Sequence, residues 1–444
     1  MRTGTTARGI AVTGAALLAL TACGGGDAGG DTGDSGGDSG EKQVNVYGTD
    51  GNMGNALGES FTDEGALAGM KGTTPLTDLG DEFTNRLLEI DPDLQDFNYA
   101  GETYDAVLIA AVASQLAGST DPAVFAPYIN GVTFGGDTCE DFASCKEIVD
   151  GGGNPDYDGV SGPLAFAEAG EPSVASFGIL QFGPDNAIAS DDTQFELAGD
   201  EANAASDEGP APAAPGATAA DPLVVGTLLP QTGDLAFLGP PEIAGAELAV
   251  QEINAAGGVL GVPVELIQRD SGDTSTDIAT QSVDALLQQN VDVIVGAASS
   301  AVTRTVIDKI TGAGVVQISP ANTSDEFTNY NDNGLYFRTA PPDTLQSRAL
   351  SDLIINDGAN TVGILARNDS YGTGLAEGTV DNLVSSGLAE DSIELVVYDP
   401  TAANFDAEVQ QMVDLNPDAI VVIGFEESAR IIDGLNSQGI GPKR

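Results

Sequence analysis

Between Leu223 and Gln438 the sequence alternates short apolar runs with amphipathic stretches, at a spacing that admits few folds. LVVGTLL (223–229), PVELIQRD (263–270), VDVIVGA (291–297), VVQISP (315–320), TVGILAR (361–367), IELVVYD (393–399) and DAIVVIG (418–424) are rich in β-branched residues and bounded by turn residues. That is the pattern of strands buried on both faces. Between them, 240–256, 275–289, 301–312, 343–356, 372–386, 404–415 and 426–438 carry apolar residues at helical spacing, and Gly257-Gly258 stops the first. Helices of this length between buried strands make parallel crossovers, so the expected class is α/β with doubly wound parallel sheets. The series breaks at Thr339-Ala340-Pro341-Pro342, which predicts two lobes joined by a hinge.

The earlier residues complete the series. VNVYG (44–48) reads as the next strand of the lobe that contains DAIVVIG, and the two runs are expected in one sheet, with Gln43 and Arg444 close together. Residues 65–75, helices near 79–90 and 101–117, and 122–133 read as a return to the other lobe, and 157–182 as a hairpin-like piece. The first lobe is expected to comprise 223–340 with about 70–155, and the second 341–444 with about 43–69 and 156–195. Residues 196–222, an Ala/Pro/acidic stretch without periodicity, read as a disordered linker between the segments 43–195 and 223–444. Taken as 223–444 followed by 43–195, the order is that of a circularly permuted two-lobed fold.

Charge and composition narrow the function. The net charge of −53, from 15 basic and 68 acidic residues, disfavours nucleic acid and anionic lipid as partners. The absence of histidine removes the usual general base, histidine-containing triads and imidazole metal ligands. Residues 1–22 read as an export signal, with Arg2 and Arg8 ahead of an apolar run, Ile10 to Leu20, too short to span a bilayer. Leu20-Thr21-Ala22-Cys23 resembles the lipobox of bacterial lipoproteins, which implies acylation of Cys23 and an extracytoplasmic, membrane-anchored address. The Gly/Asp/Ser-rich 23–42 would then be an acidic tether, its nineteen residues after Cys23 (24–42) reaching roughly 25 Å. Cys139 and Cys145 remain as an even pair in an exported chain, the pattern of a local disulfide. Two thiols without histidine do not make a metal site.

Several motifs are specific enough to carry a resemblance. QTGDLAFLG (231–239) with AELAVQEINAAGGVLG (246–261), VDVIVGAASS, VVQISPANTSDE, NDSYGTGLAEG (368–378), FDAEVQQMVDLNPDAIVVIG (405–424), VYGTDG (46–51), YDAVLIAAVA (104–113) and FAEAGEP (166–172) follow one another in a cyclic order. Together they resemble the type I periplasmic-type substrate-binding proteins of ABC importers, more narrowly the leucine/isoleucine/valine-binding family, over both ordered segments. By spacing alone Ser299 and Ser300 read equally well as a plain helix cap or as hydroxyls at a helix N-terminus suited to a carboxylate. The resemblance implies the latter, with Asn322 and Thr323 of the next strand end as further donors. By spacing alone Asp50 is a turn aspartate between glycine-rich neighbours. The resemblance implies that it faces a ligand ammonium, that Tyr371 is an aromatic contact, and that Phe237 and Phe425 are walls where tyrosine is common in the family.

The implied function is ligand capture by hinge closure, with a branched-chain amino acid leading, a permease as partner, a monomeric state, and neither catalysis nor a cofactor. Amides, urea or aromatic acids as ligands, or a sensing ectodomain, are the alternatives. Asn154-x-Asp156-x-Asp158-Gly159 echoes half a calcium loop, but Ala165 stands where its glutamate belongs.

Overall fold

The computed structural model describes residues 44–206 and 209–442. The expected export signal, Cys23, the tether, and the approach of Gln43 to Arg444 lie outside the described residues. In chain order the elements begin with β1 (Asn45–Gly48), α1 (Asn55–Glu59), β2 (Lys71–Pro75), α2 (Gly80–Ile90), α3 (Ala100–Ala117), α4 (Pro122–Phe125), β3 (Asp137–Cys139), α5 (Phe142–Asp150), β4 (Pro155–Tyr157), β5 (Val174–Gln181) and β6 (Gln194–Gly199). The regular alternation follows: β7 (Val224–Leu229), α6 (Gly239–Ala255), β8 (Glu265–Asp270), α7 (Ile278–Gln288), β9 (Val293–Gly296), α8 (Ser300–Gly312), β10 (Val316–Ser319), β11 (Tyr336–Arg338), α9 (Asp343–Asn356), β12 (Val362–Arg367), α10 (Ser370–Ser385), β13 (Ile393–Tyr398), α11 (Asp406–Leu415), β14 (Ala419–Ile423) and α12 (Ser428–Ser437).

Two sheets organise the lobes. The first lobe holds a five-stranded parallel sheet in the order β11-β10-β9-β7-β8, and the second a seven-stranded sheet in the order β13-β12-β14-β1-β2-β5-β6. β1 lies parallel to β14 with Asn45 opposite Ala419 and Tyr47 opposite Val421, so VNVYG and DAIVVIG share one sheet. β5 and β6 run antiparallel at the far edge. The long apolar helix α3 is buried along nearly its whole length because it lies between α6 and the inner strands β9 and β10. No single helix among the described residues is long and apolar enough to cross a membrane.

The chain passes between the sheets at 76–79, 158–173, 200–223 and 339–342. Two lobe boundaries therefore fall later than the sequence predicts. Residues 71–75 belong to the second lobe, since β2 pairs with β1 and β5. Residues 156–166 belong with the first, where Tyr157, Leu164 and Phe166 join the core around α3. Local pattern cannot decide which sheet receives a short strand, because the deciding hydrogen bonds come from distant partners. The linker expectation is likewise corrected. Residues 194–199 form β6, and beyond it Ala213 N–H donates to Leu116 O at 2.9 Å while Tyr128 Oη donates to Ala211 O at 3.1 Å. Small Ala and Pro residues let this stretch lie flat along the first lobe, without the apolar periodicity that would announce it.

Cys139, at the end of β3, is bonded to Cys145 in α5, with the Cα atoms 5.1 Å apart. So short a loop restrains little unfolded-chain entropy, so a Cys139→Ala/Cys145→Ala chain is expected to lose only ~2 kcal/mol, read by denaturant titration.

Between α3 and α6 lie two buried glutamates, Glu102 and Glu242, and neither carboxylate oxygen of Glu242 has a hydrogen-bond partner among the described residues. Burial pushes the Glu102 carboxyl up to about 8 and that of Glu242 upward, each raised further by a neighbouring acid. A folded-state value above the unfolded one means that the folded chain binds more protons across the window between them. The associated stability is present below the ordinary glutamate range near 4.5 and is lost as pH rises through about 8. Glu102→Gln is therefore expected to melt higher than the parent at alkaline pH and to flatten the decline between pH ~5 and ~9, measured by calorimetry across that range.

Candidate functional site

In the first lobe the loops after β9 and β10 form one face of the cleft. Ser299 caps α8, its Oγ accepting from Val302 N–H at 3.4 Å, and Ser300 opens the helix, so free N–H groups and two hydroxyls gather at one helix N-terminus. The loop beneath is tied down by its neighbour. Ser319 Oγ donates to Ala297 O at 2.7 Å, and Asn322 Nδ2 donates to Ala297 O at 3.0 Å and Ala298 O at 2.7 Å. Asn322 Oδ1 accepts from Tyr336 Oη at 2.9 Å. Asn322 thus shapes the loop from behind and does not line the cleft cavity, contrary to the expected role as a direct donor. Thr323 is also outside that cavity; its carbonyl accepts from Asp343 N–H at 2.7 Å, and its Oγ1 is buried without a hydrogen-bond partner among the described residues.

The opposite face belongs to the second lobe. Asp50 follows β1 and is buried. Its Oδ1 accepts from Tyr371 Oη at 2.7 Å and Gln346 Nε2 at 2.8 Å, and its Oδ2 from Tyr99 Oη at 2.8 Å. Beside these three donors its own backbone N–H also bears on the carboxylate, which offers about four acceptor positions. Burial pushes the Asp50 carboxyl up, while the bonds from Tyr371, Tyr99 and Gln346 pull it back. Tyr371 stands in the first turn of α10, which Asp369 caps, and its ring stacks on Phe425 at 5.4 Å. Arg367 lies 3.5 Å above the Phe425 ring, fixed by Asp369 at 2.6 Å and Glu427 at 3.0 Å, and reaches Asp234 of the first lobe at 4.0 Å.

A cavity of about 20 Å³ lies between these faces, lined among others by Asp50, Tyr99, Ser299, Ser300, Tyr371 and Phe425. Phe237 lies next door, in a cavity of about 350 Å³ that it shares with Gly51 and Phe425. The first cavity holds roughly one water molecule, so a head group is admitted only as the lobes part. Sequence reasoning missed Tyr99 and Gln346. Tyr99 precedes α3 with φ 61°, a left-handed conformation that aims its hydroxyl at Asp50. Nothing local in the sequence marks either residue, since both act across long chain separations.

Behind the cleft, Arg338 ends β11 fully buried. Its Nε donates to Glu171 Oε2 at 2.9 Å, and its Nη1 to Asn322 O at 3.1 Å and Ser324 O at 2.8 Å. Ser324 Oγ in turn donates across the lobes to Ser370 O at 3.1 Å. In the run that echoes a calcium loop, Asp156 accepts from Gly135 N–H at 3.1 Å. Among the described residues no group of three or more Asp, Glu, His or Cys side chains is placed to hold a metal ion.

A profile of the family described as "Periplasmic binding protein" matches residues 222–444, half of the chain. An amino acid binding protein of Pseudomonas aeruginosa is 31% identical over 172 residues, 38% of this chain and 45% of that protein. A leucine-, isoleucine-, valine-, threonine- and alanine-binding protein of the same species is 30% identical over 172 residues, with the same coverages of 38% and 45%. An uncharacterized protein of Methanocaldococcus jannaschii is 27% identical over 223 residues, 48% of this chain and 53% of that protein. The chain spans about half the length of the curated relatives it matches. Among solved structures, the branched-chain amino acid transporter substrate binding protein LivJ of Streptococcus pneumoniae, in complex with isoleucine, is 30% identical with a TM-score of 0.43, covering 50% of this chain and 62% of that one.

Proposed function

The chain belongs to the periplasmic binding protein family, and from that premise we propose that it is an extracytoplasmic solute-binding protein that captures an α-amino acid and hands it to an ABC importer. One observation carries the reading. Across a single cleft, the N-terminus of α8 with Ser299 and Ser300 faces a buried carboxylate, Asp50, and both line one cavity. The helix end suits an α-carboxylate and Asp50 an α-ammonium, with Tyr371 and Phe425 between them. Rotation of the lobes about the crossovers would seal both contacts from water, where each is stronger. The relatives, which include an amino acid binding protein and a binder of leucine, isoleucine, valine, threonine and alanine, support an amino acid as ligand.

Thermal melting and titration calorimetry with a panel of L-amino acids test this. A cooperative melt that rises with one of them is expected; a rise with urea, amides or aromatic acids alone would reassign the head group. Acylation of Cys23 and a monomeric state belong to the same reading. Release of a Cys23→Ser chain from membranes, with the parent retained, is the result expected for the anchor. The position of β1 beside β14 supports a circularly permuted order. A chain re-ordered as 223–444 followed by 43–222, which keeps β6 and the stretch packed on the first lobe, is then expected to fold and bind like the parent, and failure to fold would defeat that order.

A further inference from the structure

The cavity beside Asp50 and the cavity of about 350 Å³ share Gly51 and Phe425 as a common wall. Each lobe contributes one aromatic wall to it, Phe237 from the loop after β7 and Phe425 from the end of β14. Both rings lie against glycine. A Cβ on Gly54 would stand 3.3 Å from the Phe237 ring, and one on Gly51 would stand 2.6 Å from that of Phe425. Ala56 and Leu57 complete an apolar sleeve leading away from the head-group seat.

The far end of the sleeve changes character. Its mouth carries Glu59, Asp234 and Glu426, all exposed, and borders a wider depression of about 960 Å³ that shares Asp234 and Glu426 and whose lining cation, Arg430, is tied to Ala402 O at 2.7 Å. Among the described residues neither Glu59 nor Glu426 is paired with a cation. Asp234 meets Arg367 only at 4.0 Å, and that guanidinium is already held by Asp369 and Glu427.

A branched side chain of leucine size would leave much of this sleeve wet and meet nothing at its mouth. An acidic side chain would meet like charge there. A long aliphatic stem with a cationic end matches both parts, laying its methylenes along the Phe237 ring and the edge of Phe425, whose faces are held by Tyr371 and Arg367, while its charge stays in water beside the carboxylates. We propose that the ligand is a cationic α-amino acid of the lysine or arginine type, with Phe237 and Phe425 flanking its stem and Asp234, Glu59 and Glu426 selecting its charge. This rests on the amino-acid reading above and adds the side-chain class to it.

Titration calorimetry with L-arginine, L-leucine, L-phenylalanine and agmatine separates the possibilities, agmatine keeping the guanidinium of arginine without its carboxylate. Arginine is expected to bind about tenfold or more tighter than each of the others, with a lead over leucine that shrinks as salt is raised. In an Asp234→Asn/Glu426→Gln chain the lead of arginine over leucine is expected to fall about fivefold, the scale of two exposed charge contacts. If leucine or phenylalanine equals arginine, or the double variant keeps the full lead, the side-chain inference is overturned and the amino-acid reading stands. If agmatine equals arginine, general attraction to an acidic protein explains the binding and the inference is overturned. If a cooperatively melting chain binds none of the amino acids, both readings fall.

Discussion

Asp50→Asn is expected to lower amino-acid affinity by about two to three orders of magnitude while leaving the chain folded. Loss of the carboxylate strands a desolvated ammonium, at ~3–5 kcal/mol. Asparagine is the informative replacement. Its Oδ1 still accepts from Tyr371 and Gln346, and its amide can donate to the Tyr99 hydroxyl, so the fold loses ~1 kcal/mol or less. Alanine would instead orphan three buried donors and confuse binding with stability. Calorimetric titration beside a melting curve distinguishes the two, and parent-like affinity would remove Asp50 from the site. The direction of its pKa adds a second readout. Because burial raises the Asp50 carboxyl, it takes up a proton earlier on acidification than an ordinary aspartate. Affinity should therefore fall with decreasing pH while the protein is still folded.

The second large effect is expected behind the site. Arg338→Met should destabilise the chain by ~3–5 kcal/mol, because it leaves the buried Glu171 carboxylate without its cation and frees the carbonyls of Asn322 and Ser324. Both partners stand at crossovers, Glu171 within 158–173 and Arg338 just before 339–342, so the pair binds two hinge segments to the loop after β10. That loop contributes Ala321 to the cleft cavity and, through Ser324, touches the second lobe. A weaker ligand affinity should accompany the lost stability. Denaturant titration measures the first, and a loss of less than ~1 kcal/mol would show the hinge holds without the pair. Replacing both residues with apolar ones of similar volume should restore part of the loss, since a well-packed apolar pair often matches a buried ion pair.

Much of the architecture was legible because parallel α/β units announce themselves locally. Every strand and helix read between 223 and 438 exists, with boundaries shifted by a few residues at most. The pairing of β1 with β14 was also legible, since VNVYG continued an unfinished alternation. The misplaced elements were those without strong period. β2, KGTTP, is too short and polar to indicate its sheet, and β6, with Phe195 and Leu197 exposed on an edge, resembles a loop in composition. In the site, Ser299, Ser300, Asp50, Tyr371 and Phe425 line one cavity. Asn322 shows the limit of motif reasoning. Its position in the loop is right for a donor, yet its amide is committed to two carbonyls of the neighbouring loop, a fact that only the packed structure contains.

The sequence by itself determined the alternation of buried strands and crossover helices, and with it the strand ends where a ligand site could form. Those depend on residues close together in the chain, where burial period, caps and glycine stops act. Tertiary structure alone decided which lobe owns β2, that Tyr99 and Gln346 join Tyr371 around Asp50, and that an apolar sleeve opens toward Glu59, Asp234 and Glu426. Each of these is an encounter between residues far apart in the chain, fixed by the hydrogen bonds and packing that form only when the two sheets face each other.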